Sequence, residues 1–147
     1  SYLDRIFTIN SSFLLSSTSE RQKIFDKLNE TFNTSVNLPG AVYVYISPSI
    51  SMAVGCGAIK EFDLQTMEVK RMFVLTHYRV QGIATLILLA LEDWTRELGF
   101  DYCILETGLK QPEAIQLYTK NNYERLPNYG PYTDIQDSVC FKKKLNA

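Results

Sequence analysis

The chain has 147 residues, 46% of them apolar and 21% charged, with a formal net charge of −1. That balance is ordinary for a globular chain and long enough for one domain, residues 1–147, with a real core. It offers no field to hold a polyanion such as DNA, so no nucleic-acid partner is expected.

Residues 1–16 carry two short apolar runs, Ile6-Phe7-Thr8-Ile9 and Phe13-Leu14-Leu15, and a first strand is expected among them. Ser19 with Gln22 three later fits a capping box. Ile24, Phe25, Leu28 and Phe32 then describe an amphipathic helix to about Phe32, followed by a loop over 33–40. Ala41–Ile46 alternates valine and tyrosine, a strand signal. Pro48 marks a turn, and Met52–Lys60 is a second strand in which Gly55 and Gly57 thin one face. Another turn over Asp63–Thr66 leads to Met67–Leu75, so residues 41–75 read as an antiparallel meander.

A polar turn follows. Then Ile83, Leu86, Ile87, Ala90, Leu91, Trp94 and Leu98 recur at three- and four-residue steps, one face of a long helix that Gly99 ends. Its uncharged stretch around Gly82–Leu91 is too short for the roughly 20 residues of a membrane span and reads as a core helix. Tyr102–Glu106 is near-continuously apolar, as in a buried parallel strand, and the unit over 67–106 should cross over right-handed. Pro112 suits the first turn of a helix to about Asn121, and Asn122 tolerates the left-handed cap. Residues 126–132 form a Pro/Asn/Gly/Tyr loop and Ser138–Lys144 a last strand. The order of elements makes an α/β protein with a mixed central sheet, antiparallel first, and helices on both faces.

Cys56, Cys103 and Cys140 are an odd set whose spacing fits no zinc motif; buried reduced thiols are expected, and no metal. Lys142-Lys143-Lys144 reads as a solvated run. No basic segment followed by an apolar core opens the chain at Ser1, so no secretory signal is expected. The expected location is cytoplasmic, with a nuclear one left open.

The turn before the long helix carries the chemistry. A helix start offers amides without intrahelical acceptors and the positive end of the dipole, an anion site suited to a phosphate. The turn lacks the Gly-Lys-Ser/Thr ending of a nucleotide P-loop and has one glycine where a dinucleotide fold wants three. Arg79-Val80-Gln81-Gly82-Ile83-Ala84 resembles instead the Gln/Arg-x-x-Gly-x-Gly/Ala signature of the GNAT superfamily of N-acetyltransferases. The flanks match in order: Glu68 to Val74 before the loop, Leu105 to Gly108 after the helix, then Ala114 to Tyr118. The resemblance covers roughly residues 41–145.

It implies a single-domain GNAT fold, in which two central parallel strands splay and admit the pantetheine arm of acetyl-coenzyme A along Met72-Phe73-Val74. It implies that the amides of Gln81, Gly82, Ile83, Ala84 and Thr85 hold the pyrophosphate, with Arg79 as a cation. Gln111 stands where the family often has an asparagine on the cofactor arm. Glu68 matches a glutamate that deprotonates the amine through water or orients a cationic substrate; the alternative is a solvent-facing carboxylate paired with Lys70 or Arg71. Glu106 ends the following strand and could join it, or cap a helix. Tyr118 matches a tyrosine that protonates the leaving thiolate; the alternative is a core residue. A strand amide of Phe73 or Val74 would stabilise the oxyanion. Tyr129 and Tyr132, with Asp134 and Asp137, crowd a loop that can border the acceptor site. His77, the one histidine, reads as an exposed neighbour of the phosphate loop. The family usually has a longer helical region before its second strand, which often shapes the acceptor pocket.

The expected function is therefore transfer of an acetyl group from acetyl-CoA to a primary amine by direct attack in a ternary complex. A small-molecule acceptor is favoured because nothing resembles a reader domain or a basic docking surface. A protein lysine or N-terminal acetyltransferase and a non-catalytic acyl-CoA-binding module are the alternatives. Dimerisation is left open by the sequence.

Overall fold

The computed structural model describes residues 6–8, 41–47 and 52–146. The elements are β1 (Ile6–Thr8), β2 (Ala41–Ser47), β3 (Met52–Asp63), β4 (Thr66–Val74), α1 (Ile83–Glu97), β5 (Tyr102–Gly108), α2 (Pro112–Lys120), β6 (Glu124–Leu126) and β7 (Ser138–Lys144). The helix expected over residues 19–32 lies outside the described residues. β3 is longer than its sequence pattern suggests and turns through Leu64-Gln65 directly into β4. Asp63 fixes that turn by accepting the Gln65 amide at 2.9 Å, which lowers the carboxyl below its usual range. β6 falls where no strand was expected.

The chain forms two compact units. The first holds β1, β2, β3 to Lys60 and residues 70–91; the second holds residues 61–69 and the chain from Glu92. In the first unit β1 runs parallel to β2, Ile6 opposite Val42, and β2 runs antiparallel to β3, Tyr43 opposite Gly57. The antiparallel reading from residue 41 onward holds for β2 and β3, and the direction of β1, which the sequence did not give, is parallel. The 32 residues between Thr8 and Ala41 allow a crossover connection, which a parallel pair requires. The glycine of β3 has a steric cause. A Cβ on Gly57 would lie 2.6 Å from Met72 Sδ, 2.7 Å from Ile87 Cγ2 and 3.0 Å from Leu91 Cδ1. The helix can press on the strand only because no side chain intervenes.

In the second unit β4 pairs in parallel with β5, Thr66 to Glu68 opposite Tyr102 to Ile104. β7 pairs antiparallel with β5 along its whole length and with β6 on its other side. Because alternate residues point to opposite faces, Val139, Phe141 and Lys143 share one face of β7. Phe141 meets Tyr118 of α2 and Lys143 meets Glu92 of α1, so both described helices use the same face. Glu68, Ile104, Glu106 and Cys140 stand in register on the opposite face.

The stripe that α1 buries differs from the periodic reading. Ile83, Ile87, Leu88 and Leu91 are buried as apolar residues, together with Glu92 and Thr95, while Leu86 and Leu98 are 45% and 48% exposed. The stripe is turned because Glu92 has partners inside: Tyr123 Oη donates to its Oε2 at 2.9 Å and Lys143 Nζ to its Oε1 at 2.7 Å. A buried carboxylate is tolerated when it is so paired.

All three cysteines are buried thiols outside any disulfide, as expected. The Cys103 thiol donates to Thr95 Oγ1 at 3.7 Å, and burial pushes it up to about 11. Below pH 9 both the folded and the unfolded chain keep this proton. Between pH 9 and 11 the unfolded chain releases it while the folded one retains it, so stability falls as pH rises. Urea midpoints measured from pH 8 to 11 are expected to drop by the equivalent of about 2–3 kcal/mol from this thiol alone. The drop should disappear in part in Cys103→Ala.

Candidate active site

In the first unit the turn singled out from the sequence begins where β4 ends. Thr76–Tyr78 forms a short 3-10 turn, closed by the Tyr78 amide on the Leu75 carbonyl at 2.9 Å. His77 is exposed within it. Arg79 then turns back on the strand: its Nε donates to the Val74 carbonyl at 2.9 Å and its guanidinium lies 5.4 Å from the Phe73 ring centroid. The expected cation is thus tied to both strand residues expected to border the cofactor. The backbone reverses through left-handed φ angles of 63° at Val80 and 81° at Gly82. For the β-branched Val80 that conformation costs about 1–2 kcal/mol, strain held in the loop itself.

The first helical bond is Leu86 N–H to the Gly82 carbonyl, 3.1 Å. The amides of Ile83, Ala84 and Thr85 precede it and have no helical acceptor, the condition under which a helix start can receive an anion. The glycine of this turn, Gly82, invites a reading as a crowded point that no side chain could occupy. The structure corrects this: among the described residues a Cβ there would meet nothing within 4 Å, and the glycine is required by its positive φ alone. Approach to the amides is open on that side, so the turn fits the pyrophosphate of a coenzyme.

The second unit, described by itself, holds Glu68, Glu106, Gln111, Tyr118, Tyr129 and Tyr132. Glu68 is buried, 7% exposed, and does not face solvent. Tyr129 Oη donates to its Oε2 at 2.6 Å. Burial, and then this bond to a carboxylate, push the Tyr129 phenol well above its ordinary value. Tyr129 is held edge-to-face by Tyr132 at 5.4 Å and by Phe62 at 5.2 Å. Phe62, on the β3 extension, was not singled out from the sequence; the extra strand length that brings it here is set by the turn at Asp63. Glu106 stands opposite Cys140 in the β5–β7 ladder. Burial raises the Cys140 thiol, the nearby charges of Glu106 and Glu68 add to this, and the Tyr129 backbone N–H opposes it. The thiol is therefore protonated and is no nucleophile. Asp134 and Asp137 are exposed.

Tyr118 comes from α2 and is 5% exposed, its ring against Tyr123 at 5.6 Å and Phe141 at 5.9 Å. Burial pushes its phenol well above the ordinary value, and the charge of Glu106 adds to this. Among the described residues its hydroxyl makes no hydrogen bond. Buried hydroxyls rarely lack partners. Gln111 is exposed at the start of α2, where its amide bonds the Gly108 carbonyl at 3.0 Å; no hydrogen bond links its side chain to the groups above. Among the described residues, no cluster of His, Cys, Asp and Glu is placed to hold a metal ion, and no helix is long and apolar enough to cross a membrane.

A family model described as the acetyltransferase (GNAT) family matches residues 12–123. The chain belongs to that family. Among curated relatives, IAA acetyltransferase of Azospirillum brasilense is 38% identical over 93 residues, 63% of this chain and 61% of the relative. The match thus spans about three fifths of that relative's length. Among solved structures, a putative acyl-CoA N-acyltransferase from Klebsiella pneumoniae superposes with a TM-score of 0.71 at 29% identity, covering 90% of this chain and 94% of the other. PaiA N-acetyltransferase from Thermoplasma acidophilum, solved in complex with coenzyme A, gives 0.63 at 18% identity, covering 84% and 70%; this likeness speaks for the fold alone.

Proposed function

We propose that the protein transfers an acetyl group from acetyl-coenzyme A to a primary amine, most readily a small-molecule amine, by direct attack in a ternary complex. The observation that carries this reading is the buried Tyr118 hydroxyl, which has no hydrogen-bond partner among the described residues and keeps its proton through and beyond neutral pH. Such a group costs stability unless something arrives to use it.

The amides of Gln81, Gly82, Ile83, Ala84 and Thr85 hold the pyrophosphate, with Arg79 screening its charge. The stretch Met72-Phe73-Val74 borders the pantetheine arm, and Gln111, ahead of α2, contacts the arm. The thioester supplies the acyl group: a C–N bond forms as the C–S bond breaks. Glu68, directly or through water, takes a proton from the ammonium form of the acceptor, Glu106 supports the same relay, and the second proton, shed by the nitrogen as the amide forms, replaces the one Tyr118 gives to the thiolate. Tyr129 keeps the Glu68 carboxylate in one orientation, and Tyr132 walls the acceptor side. The Val74 or Phe73 amide faces the developing oxyanion, and Tyr118 protonates the leaving thiolate.

A panel of small amines, amino acids and lysine peptides, read by thiol release, tests the acceptor. Turnover on a small amine is expected, and Glu68→Gln should lower kcat about 100-fold, since glutamine keeps the bond from Tyr129 but cannot take a proton. An unchanged kcat removes Glu68 as base. Turnover confined to peptide amines would replace the small-molecule acceptor. Cofactor binding without transfer to any amine would leave a non-catalytic acyl-CoA-binding module.

A further inference from the structure

We infer that Tyr123, anchored by Glu92 and Lys143, is a positioning residue that aims the Tyr118 hydroxyl; this rests on the proposed role of Tyr118 as proton donor. Glu92, Tyr123 and Lys143 form a buried polar cluster that acetyl transfer does not itself use. Glu92 is 1% exposed and sits in the middle of α1. Its Oε2 accepts from Tyr123 Oη and its Oε1 from Lys143 Nζ, while Arg96 Nη2 stands 4.0 Å from Oε1. The Lys143 ammonium also lies 5.6 Å from the Tyr123 ring centroid. Thr95 and Cys103 complete the surroundings of the Tyr123 hydroxyl. A core built only for stability gains little from a buried ion pair over apolar packing. Three elements, α1, β7 and the end of α2, nevertheless converge on one phenol.

That phenol is coupled to Tyr118 twice. The first link is the backbone at the end of α2. Asn122 takes a left-handed φ of 69°, its amide bonds the Thr119 carbonyl at 3.2 Å, and the Tyr123 amide bonds the Tyr118 carbonyl at 3.0 Å. This is a Schellman cap, in which the residue after the left-handed one packs on the residue that accepts its amide. The second link is that packing: the Tyr123 ring stands edge-to-face on Tyr118 at 5.6 Å and 65°. Phe141 touches Tyr118 as well, tilted at 42°. With no hydrogen bond to its own hydroxyl among the described residues, the direction of the Tyr118 O–H is set by the rings around it. One of those rings is locked at its far end by Glu92. Catalytic groups need such support to hold position within a fraction of an ångström.

Tyr123→Phe tests this. The ring remains, and Glu92 remains paired with Lys143, so the fold is expected to survive. Acetyl transfer should show kcat lowered roughly tenfold with KM for both substrates and acetyl-CoA affinity unchanged. In a Tyr118→Phe background the same change should have no further effect, because the group it aims is gone. In the free protein labelled with 3-fluorotyrosine, the resonance that Tyr118→Phe removes should shift or broaden in Tyr123→Phe. Equal slowing in both backgrounds, an unchanged kcat, or an unmoved fluorine resonance each overturns the inference. A Tyr118→Phe protein that transfers at the parental rate overturns the donor role and the inference with it, whatever the fluorine spectrum shows. Should Tyr123→Phe not fold, Lys143→Arg carries the same test: it keeps the ion pair while moving its nitrogens, and the same pattern is required at smaller amplitude.

Discussion

Gly82→Asp is expected to leave the protein folded and to weaken acetyl-CoA binding by at least roughly 100-fold. The fold should survive because a Cβ at this position meets nothing within 4 Å among the described residues. The left-handed φ of 81° costs an L-residue about 1–2 kcal/mol, and aspartate is among the residues that bear it best. The binding should fail because the carboxylate stands beside the Ile83, Ala84 and Thr85 amides, the groups left without helical acceptors by the first bond from Leu86 to Gly82. A negative charge there fills the positive end of the helix and repels the pyrophosphate. Gly82→Asn carries the same backbone demand without the charge, so its loss should be clearly smaller. Calorimetry on the two variants, with thermal melts as a control, separates charge from conformation. Equal affinity in Gly82→Asp and the parent would place the pyrophosphate elsewhere.

Tyr118→Phe should lower kcat about 100-fold, within the range ordinary for a positioned acid, and leave acetyl-CoA affinity nearly intact. Its stability should not fall. The hydroxyl is buried without a hydrogen-bond partner among the described residues, so removing it relieves a desolvation cost of about 1–3 kcal/mol. A slower enzyme that is as stable as the parent, or more so, is the signature of a group kept for chemistry. An ordinary core tyrosine with a satisfied hydroxyl would give the opposite pattern: unchanged rate and lowered stability. Burial, with Glu106 adding to it, holds the phenol far above the working pH, so the parent's rate should show no loss of this proton up to about pH 10.

The fold was legible where the pattern is local. The helical period from Ile83 to Leu91, the valine–tyrosine alternation of β2 and the left-handed Asn122 each follow from neighbours in sequence, and the structure carries all three. The turn at Arg79 to Ala84 was legible because a glycine ahead of a helical period announces a strand-to-helix turn; a phosphate guest there is what the resemblance of its flanking segments implies. What sequence could not supply lies in partners far along the chain. Leu86 and Leu98 look like core residues by period, yet Glu92 and Thr95 are inside, because Tyr123 and Lys143, 31 and 51 residues on, meet Glu92 there. Glu68 could be read as a surface carboxylate until Tyr129, 61 residues away, closes on it. Parallel pairing of β1 with β2 has no local signature, because direction is set by the connection and not by the strand. Phe62 and Tyr123 have no motif at all and became visible only as neighbours of Tyr129 and Tyr118.

Everything proposed for this chain requires that it bind acetyl-coenzyme A through the turn after β4. Calorimetric titration of acetyl-CoA into the purified protein tests it most directly. Saturable binding near one molecule per chain is expected in the parent, and its loss in Gly82→Asp. No binding by a folded parent protein would contradict it.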